Sequence, residues 1–207
     1  MNEIRKPKPG DKLISDQGLK LLDIDWPSGN WFVYAMAYKD AADRLVEQIQ
    51  DYYDHDDKPA LPILFLYRHW VELRLKTIII RLDILCRTQM PKEDFGKHNL
   101  ENLWRYVNDH LSCLPDAGDT DQTEIGSLES LIKELSNLDH KSMNFRYPHS
   151  LTNSVFALPG IMSMSHLKAM MNVLDNGLSY VEGGLDAQEE ANNIEADMEA
   201  EYRRYMD

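Results

Sequence analysis

The sequence predicts an all-α fold, a helical bundle of about six helices around one long central apolar helix, and three observations carry that prediction. Apolar residues recur at three- and four-residue steps through most of the chain, which is the period of a helix face. No stretch of useful length alternates apolar and polar residues as a half-buried strand does, and no internal repeat is visible. The third observation is the run at 61–87, LPILFLYRHWVELRLKTIIIRLDILCR, apolar almost all the way round. A helix of that kind is normally surrounded by protein.

The elements follow in order. Residues 1–12, MNEIRKPKPGDK, read as a disordered basic tail with two prolines and no apolar signal-peptide core. Residues 13–29 carry no clear period, and Trp26 and Pro27 mark a turn. A first helix is expected from Asn30, capped by Ser28 or Asn30, with Trp31, Tyr34, Tyr38, Ala41, Leu45, Ile49 and Tyr52 as its apolar stripe. DHDDKP at 54–59 ends it, and the short linker predicts that the long helix packs antiparallel to it.

A loop at 90–97 precedes an amphipathic helix carrying Leu100, Leu103, Trp104, Val107 and Leu111. LPDAGDTDQTE is a polar loop, and Leu128, Leu131, Ile132, Leu135 and Leu138 form the next helix. Residues 139–160 are irregular, because Tyr147 precedes a proline and is pushed toward extended geometry. Ser163 or Ser165 caps a helix carrying Leu167, Met170, Met171, Leu174, Leu178 and Val181, which Gly183 and Gly184 are expected to stop. Residues 13–184 would then form the bundle. Residues 185–207 would form a separate acidic helix with a narrow stripe of Ala191, Ile194, Met198, Tyr202 and Tyr205, able to dock on a second copy or a protein partner.

Composition bounds the function. A chain of 207 residues, 43% hydrophobic, holds one domain with a real core. With 22 basic and 35 acidic residues the net charge is −13, so RNA or a nucleotide would need a local basic site. The six charged or histidine side chains at Arg68, His69, Glu72, Arg74, Lys76 and Arg81 make the apolar run expensive in lipid. A soluble, cytoplasmic protein without a membrane anchor is expected. Cys86 and Cys113 match neither a disulfide framework nor a metal-binding spacing, and are expected to be reduced thiols.

Two places draw attention as sites. Arg68, Glu72 and Lys76 stand at four-residue steps, hence on one face of the long helix, either as an intrahelical ladder or as the lining of a ligand pocket. In NFRYPH, Arg146 is a permanent fork of donors and His149 titrates near neutrality, so the pair suits a phosphodiester. The other reading pairs Arg146 structurally with Glu72 while Phe145 and Tyr147 fill the core. His69 with Glu72 lacks the spacing of a metal-binding motif, and no metal or other cofactor is expected.

Three phrases taken together, YRHWVELRLK at 67–76, GKHNLENLW at 96–104 and NFRYP at 144–148, resemble bacterial helical proteins of the HEPN type. The resemblance spans roughly residues 30 to 180. It implies a helical bundle, often a dimer, of the toxin-antitoxin, phage-defence or nucleotide-transfer kind. Many such proteins are metal-independent ribonucleases using an arginine followed four to six residues later by a histidine. Arg105 and His110 in RYVNDH have that spacing, although five helical steps turn their side chains about 140° apart. The resemblance, the acidic surface and the stripe of the last helix together lead to the expectation of a protein acting by binding in a toxin-neutralising or defence system, with a ribonuclease using Arg146 and His149, or Arg105 and His110, at a dimer cleft as the alternative.

Overall fold

The computed structural model describes residues 29–51, 58–114, 122–139, 142–148 and 162–206. Trp31–Asp207 form one unit of the chain and Met1–Asn30 another. Among the described residues the fold is all-α and contains no strand. Its helices are α1 (Trp31–Asp51), α2 (Ala60–Leu85), the single turn α3 (Lys92–Phe95), α4 (Leu100–His110), α5 (Gln122–Leu138) and α6 (Met164–Met206). The expected basic tail at 1–12 lies outside the described residues.

The long helix α2 is the axis of the bundle. Ile63, Tyr67, Trp70, Val71, Leu75, Ile78, Ile79 and Leu82 are all fully buried and span about half of its circumference, and the buried Glu72, Leu73 and Lys76 carry the covered surface onto the other half. Helix α1 packs antiparallel on it: Tyr67 at the start of α2 donates to Asp43 at 2.6 Å, while Lys76 further along stands over Trp31. The buried face of α1 is Ala35, Lys39, Ala42 and Val46, one position round from the stripe read in the sequence. Tyr34 is exposed, and Trp31, Tyr38, Leu45 and Ile49 flank the contact. The two alanines let the helices approach closely, which larger residues on that face would prevent.

Helix α4 runs parallel to the second half of α2, because His98 meets Glu72 and Tyr106 meets Asp83. Asn99 caps α4 by accepting from the Asn102 amide at 3.0 Å. The parallel course brings the ends of α2 and α4 together and pairs Cys86 with Cys113 as a disulfide, Cα atoms 5.9 Å apart. This corrects the expectation of two reduced thiols: the residues are scattered in sequence but juxtaposed by packing, within the usual Cα range for a disulfide.

Helix α5 packs antiparallel on α6, with Leu128 seated against Gly177. A β-carbon at Gly177 would stand 2.2 Å from Leu128 Cδ2 and 2.9 Å from its Cγ. Ser163 starts α6, its Oγ accepting from the His166 amide at 3.3 Å. The helix then runs unbroken through Gly183 and Gly184, against the expected stop. Neither glycine takes a positive φ. Glu182 just before the pair and Asp186 just after it are tied to α2 through Arg74 and Arg81, and Leu185 is fully buried. These contacts outweigh the roughly 1 kcal/mol that each glycine costs a helix relative to alanine.

The two glycines at 177 and 183 should therefore respond oppositely to alanine. Gly177→Ala should destabilise the protein by about 1–2 kcal/mol, overpacking against Leu128 outweighing the gain in helix propensity. Gly183→Ala has open space around it and should stabilise by about 0.5–1 kcal/mol. Urea midpoints of the two variants measure both; equal signs would contradict the packing described.

Candidate functional site

The polar face of α2 assembles as the four-residue spacing required, and it is deeply buried. Arg68 and Glu72 are each 1% exposed, and Lys76 is 6% exposed. Glu72 Oε1 accepts from Lys76 Nζ at 2.8 Å and lies 2.8 Å from His98 Nδ1. Its Oε2 accepts from Arg68 Nη1 at 3.2 Å. Burial alone would push the Glu72 carboxyl up, but Lys76 and His98 overcome this and hold it below its ordinary value.

Arg68 extends the network to two chain segments outside α2. Its Nε donates to the Asp139 carbonyl at 2.9 Å, and its Nη2 donates to the His98 carbonyl. The Asp139 carboxylate lies 3.6 Å from Arg68 Nε, and its Oδ1 accepts from the Met143 and Asn144 amides at 2.6 and 2.9 Å. One guanidinium thus fixes both the entry to α4 and the turn after α5. Burial draws the Arg68 guanidinium down from its ordinary value while Asp139 and Glu72 oppose the shift. In this turn Ser142 takes a φ of +56° and its carbonyl accepts from Arg146 Nε at 2.6 Å.

The network opens to solvent through a rim of rings and cations. The His98 side chain is 49% exposed and Tyr147 is 50% exposed. His69 stacks on Phe65 with centroids 5.7 Å apart and meets Tyr38 edge-on at 4.5 Å. Arg146 lies 5.8 Å from the centroid of the same Phe65 ring and 5.7 Å from that of Tyr147, within cation–π range. Burial lowers the His69 pKa below the ordinary imidazole value, with Glu72 pulling the other way. The neutral ring is then a base at neutral pH.

Some sequence expectations meet here and others do not. Arg68, Glu72 and Lys76 come together as a ladder. Arg146 does not pair with Glu72, whose oxygens are taken by Arg68, Lys76 and His98; it turns instead to the Ser142 carbonyl. Phe145 is buried as expected, whereas Tyr147 points outward rather than into the core. His149 lies outside the described residues. Arg105 is bonded to Asn102 on the exposed side of α4, while His110 stacks on Tyr106 and bonds to its carbonyl. Each of these two is held by neighbours of its own.

A second buried charge cluster escaped the sequence reading. Arg74, 1% exposed, binds Asp175 at 2.6 Å and Glu182 through two bonds of 2.9 Å. Lys39 joins it through Asn172 at 2.8 Å and Asp175 at 3.6 Å. The acids recur on α6 at 175, 182, 186 and 189, one helical face, and that spacing was the signal available. Set against protein-family models, curated proteins and solved structures, the chain matches none. Among the described residues no three His, Cys, Asp or Glu side chains come together to hold a metal, and no helix is long and apolar enough to cross a membrane.

The pKa directions fix how stability should vary with pH. His69 binds its proton less readily when folded, so its contribution is complete above about pH 6.5 and is lost as pH falls below that value. Glu72, held low, adds a second loss below about pH 4.3. Denaturation midpoints at pH 7.5 and 5.5 should differ in the native chain and differ less in His69→Phe. An undiminished drop in that variant would remove His69 as its source. Glu72→Ala should cost about 3 kcal/mol, since it strands Arg68 and Lys76.

Proposed function

We propose that this is a HEPN-like helical protein that acts by binding rather than by catalysis, in a bacterial toxin-neutralising or defence system. The three phrases that resemble the HEPN type supply the system. One observation carries the binding reading: the charged groups of the site are spent on one another. Glu72 is fully engaged by three donors or near neighbours, and Arg146 is committed to the Ser142 carbonyl. The rim leaves Tyr147, His98, Phe65 and Arg146 in fixed positions, with shape and chemistry suited to contact a protein partner.

A ribonuclease is the second reading, and one observation favours it. Arg146 and His69 each lie within 6 Å of the Phe65 ring centroid. A cation and a neutral imidazole beside one ring suit stabilisation and deprotonation at a phosphodiester. On this reading RNA or a nucleotide occupies the rim.

Incubation of the purified protein with mixed RNA, chelator present, separates the two. The binding reading predicts intact RNA, together with a partner from native bacterial lysate that Tyr147→Ala no longer retains. Cleavage abolished by Arg146→Ala, His69→Ala or His110→Ala would reverse the order of the readings.

A further inference from the structure

The last turns of α6 leave the bundle. Arg81 binds Asp186 at 2.5 Å and Glu189 at 2.9 Å, and every residue from 190 to 206 is exposed. That stretch is about 25 Å of bare helix. A helix of that length gains most of its stability from packing of its apolar face.

The face it leaves uncovered continues the face that α5 covers higher up. Gly177 packs on Leu128 of α5, and Gly184 lies against Leu114. Seven-residue steps from these glycines lead to Ala191, Met198 and Tyr205, and the interleaved positions are Tyr180, Ala187, Ile194 and Glu201. This is a heptad seam. Among the described residues its lower part has no covering helix: Ile194 is 54% exposed, Met198 66% and Tyr205 81%.

We propose that the covering helix is the same segment of a second copy, running antiparallel, so that the chain is a dimer joined through the ends of α6. Two complementarities select this occupant and this direction. The seam is small at one end, with Gly184, Ala187 and Ala191, and large at the other, with Met198, Glu201 and Tyr205. Antiparallel pairing sets Ala187 of each copy against Tyr205 of the other, Ala191 against Glu201 and Ile194 against Met198, whereas parallel pairing sets small against small and large against large, with Glu201 facing Glu201.

Charge agrees with size. In heptad terms Glu190, Asp197 and Arg204 flank the seam on one side and Glu195 and Tyr202 on the other. An antiparallel pair brings Glu190 beside Arg204 of the other copy, twice by symmetry. A parallel pair brings Glu190 beside Glu195, also twice, and offers no opposite charges. The like contacts left in the antiparallel form, Glu195 and Asp197 each with its own counterpart, stand at the solvent edge where salt screens them. The proposal uses none of the residues of the α2 site and stands apart from the functional reading.

Sedimentation or light scattering of the full chain tests it, with a dimer expected at twice the single-chain mass of 24.0 kDa. Ile194→Asp with Met198→Asp lies on exposed positions, so the bundle should keep its helical signal while the mass falls to one chain. Direction is read by oxidative crosslinking. Asp197→Cys should link to itself across the two-fold axis, and Tyr205→Cys should not. A single-chain mass for the native protein at tens of micromolar would overturn the dimer, leaving the seam to a different protein. Linking through Tyr205→Cys but not Asp197→Cys would overturn the antiparallel pairing.

Discussion

Everything in this molecule is arranged around the cost of burying charge on α2. Arg68, Glu72, Arg74 and Lys76 are all buried on a helix that is apolar between them. A buried charge without a partner costs several kcal/mol, and removal of one partner of a buried pair costs about 3–5. Each of these side chains therefore demands a complement from a particular neighbour. Arg68 takes Asp139 and the His98 carbonyl; Glu72 takes His98; Arg74 takes Asp175 and Glu182 of α6. The apolar surface of α2 holds its neighbours near without choosing among their registers, and the charges make that choice.

The same constraint produces the rim. Because Arg68 binds the backbone at His98 and at Asp139, two segments that are not helical become fixed relative to α2. The Asp139 carboxylate then organises the next turn through the Met143 and Asn144 amides, which carries Phe145 inward and Arg146 and Tyr147 outward. Surface shape is thus set by a network that solvent hardly reaches. Its polar groups are consumed in setting that shape, which is why the proposed function is recognition by the rim.

What the sequence revealed and what it hid divide along one line. Local periodicity identified the helices, and the four-residue spacing of Arg68, Glu72 and Lys76 identified the ladder, since both are properties of one helix. Contacts between distant segments were less visible. The pairing of Arg74 with α6 joins residues about a hundred positions apart, and the contact of Arg146 with Phe65 joins the turn after α5 to α2. The disulfide arises from α4 running parallel to α2, which no local pattern encodes. Gly183 and Gly184 misled because stop signals are weak beside the ion pairs that bracket them. On α1 the buried face was misplaced by one position because Lys39 reads as a surface residue until its partners on α6 are known.

The central claim is that Arg68 fixes the turns at 98 and 139–147 from inside the core. Amide hydrogen exchange of Arg68→Met, compared with the native protein, tests it most directly. The account predicts faster exchange at Met143, Asn144, Arg146 and Tyr147, and in the first turn of α4, by at least tenfold, with amides in the middle of α6 near Leu178 little changed. Unaltered exchange in those turns, or an equal rise at every amide of the bundle, would contradict it.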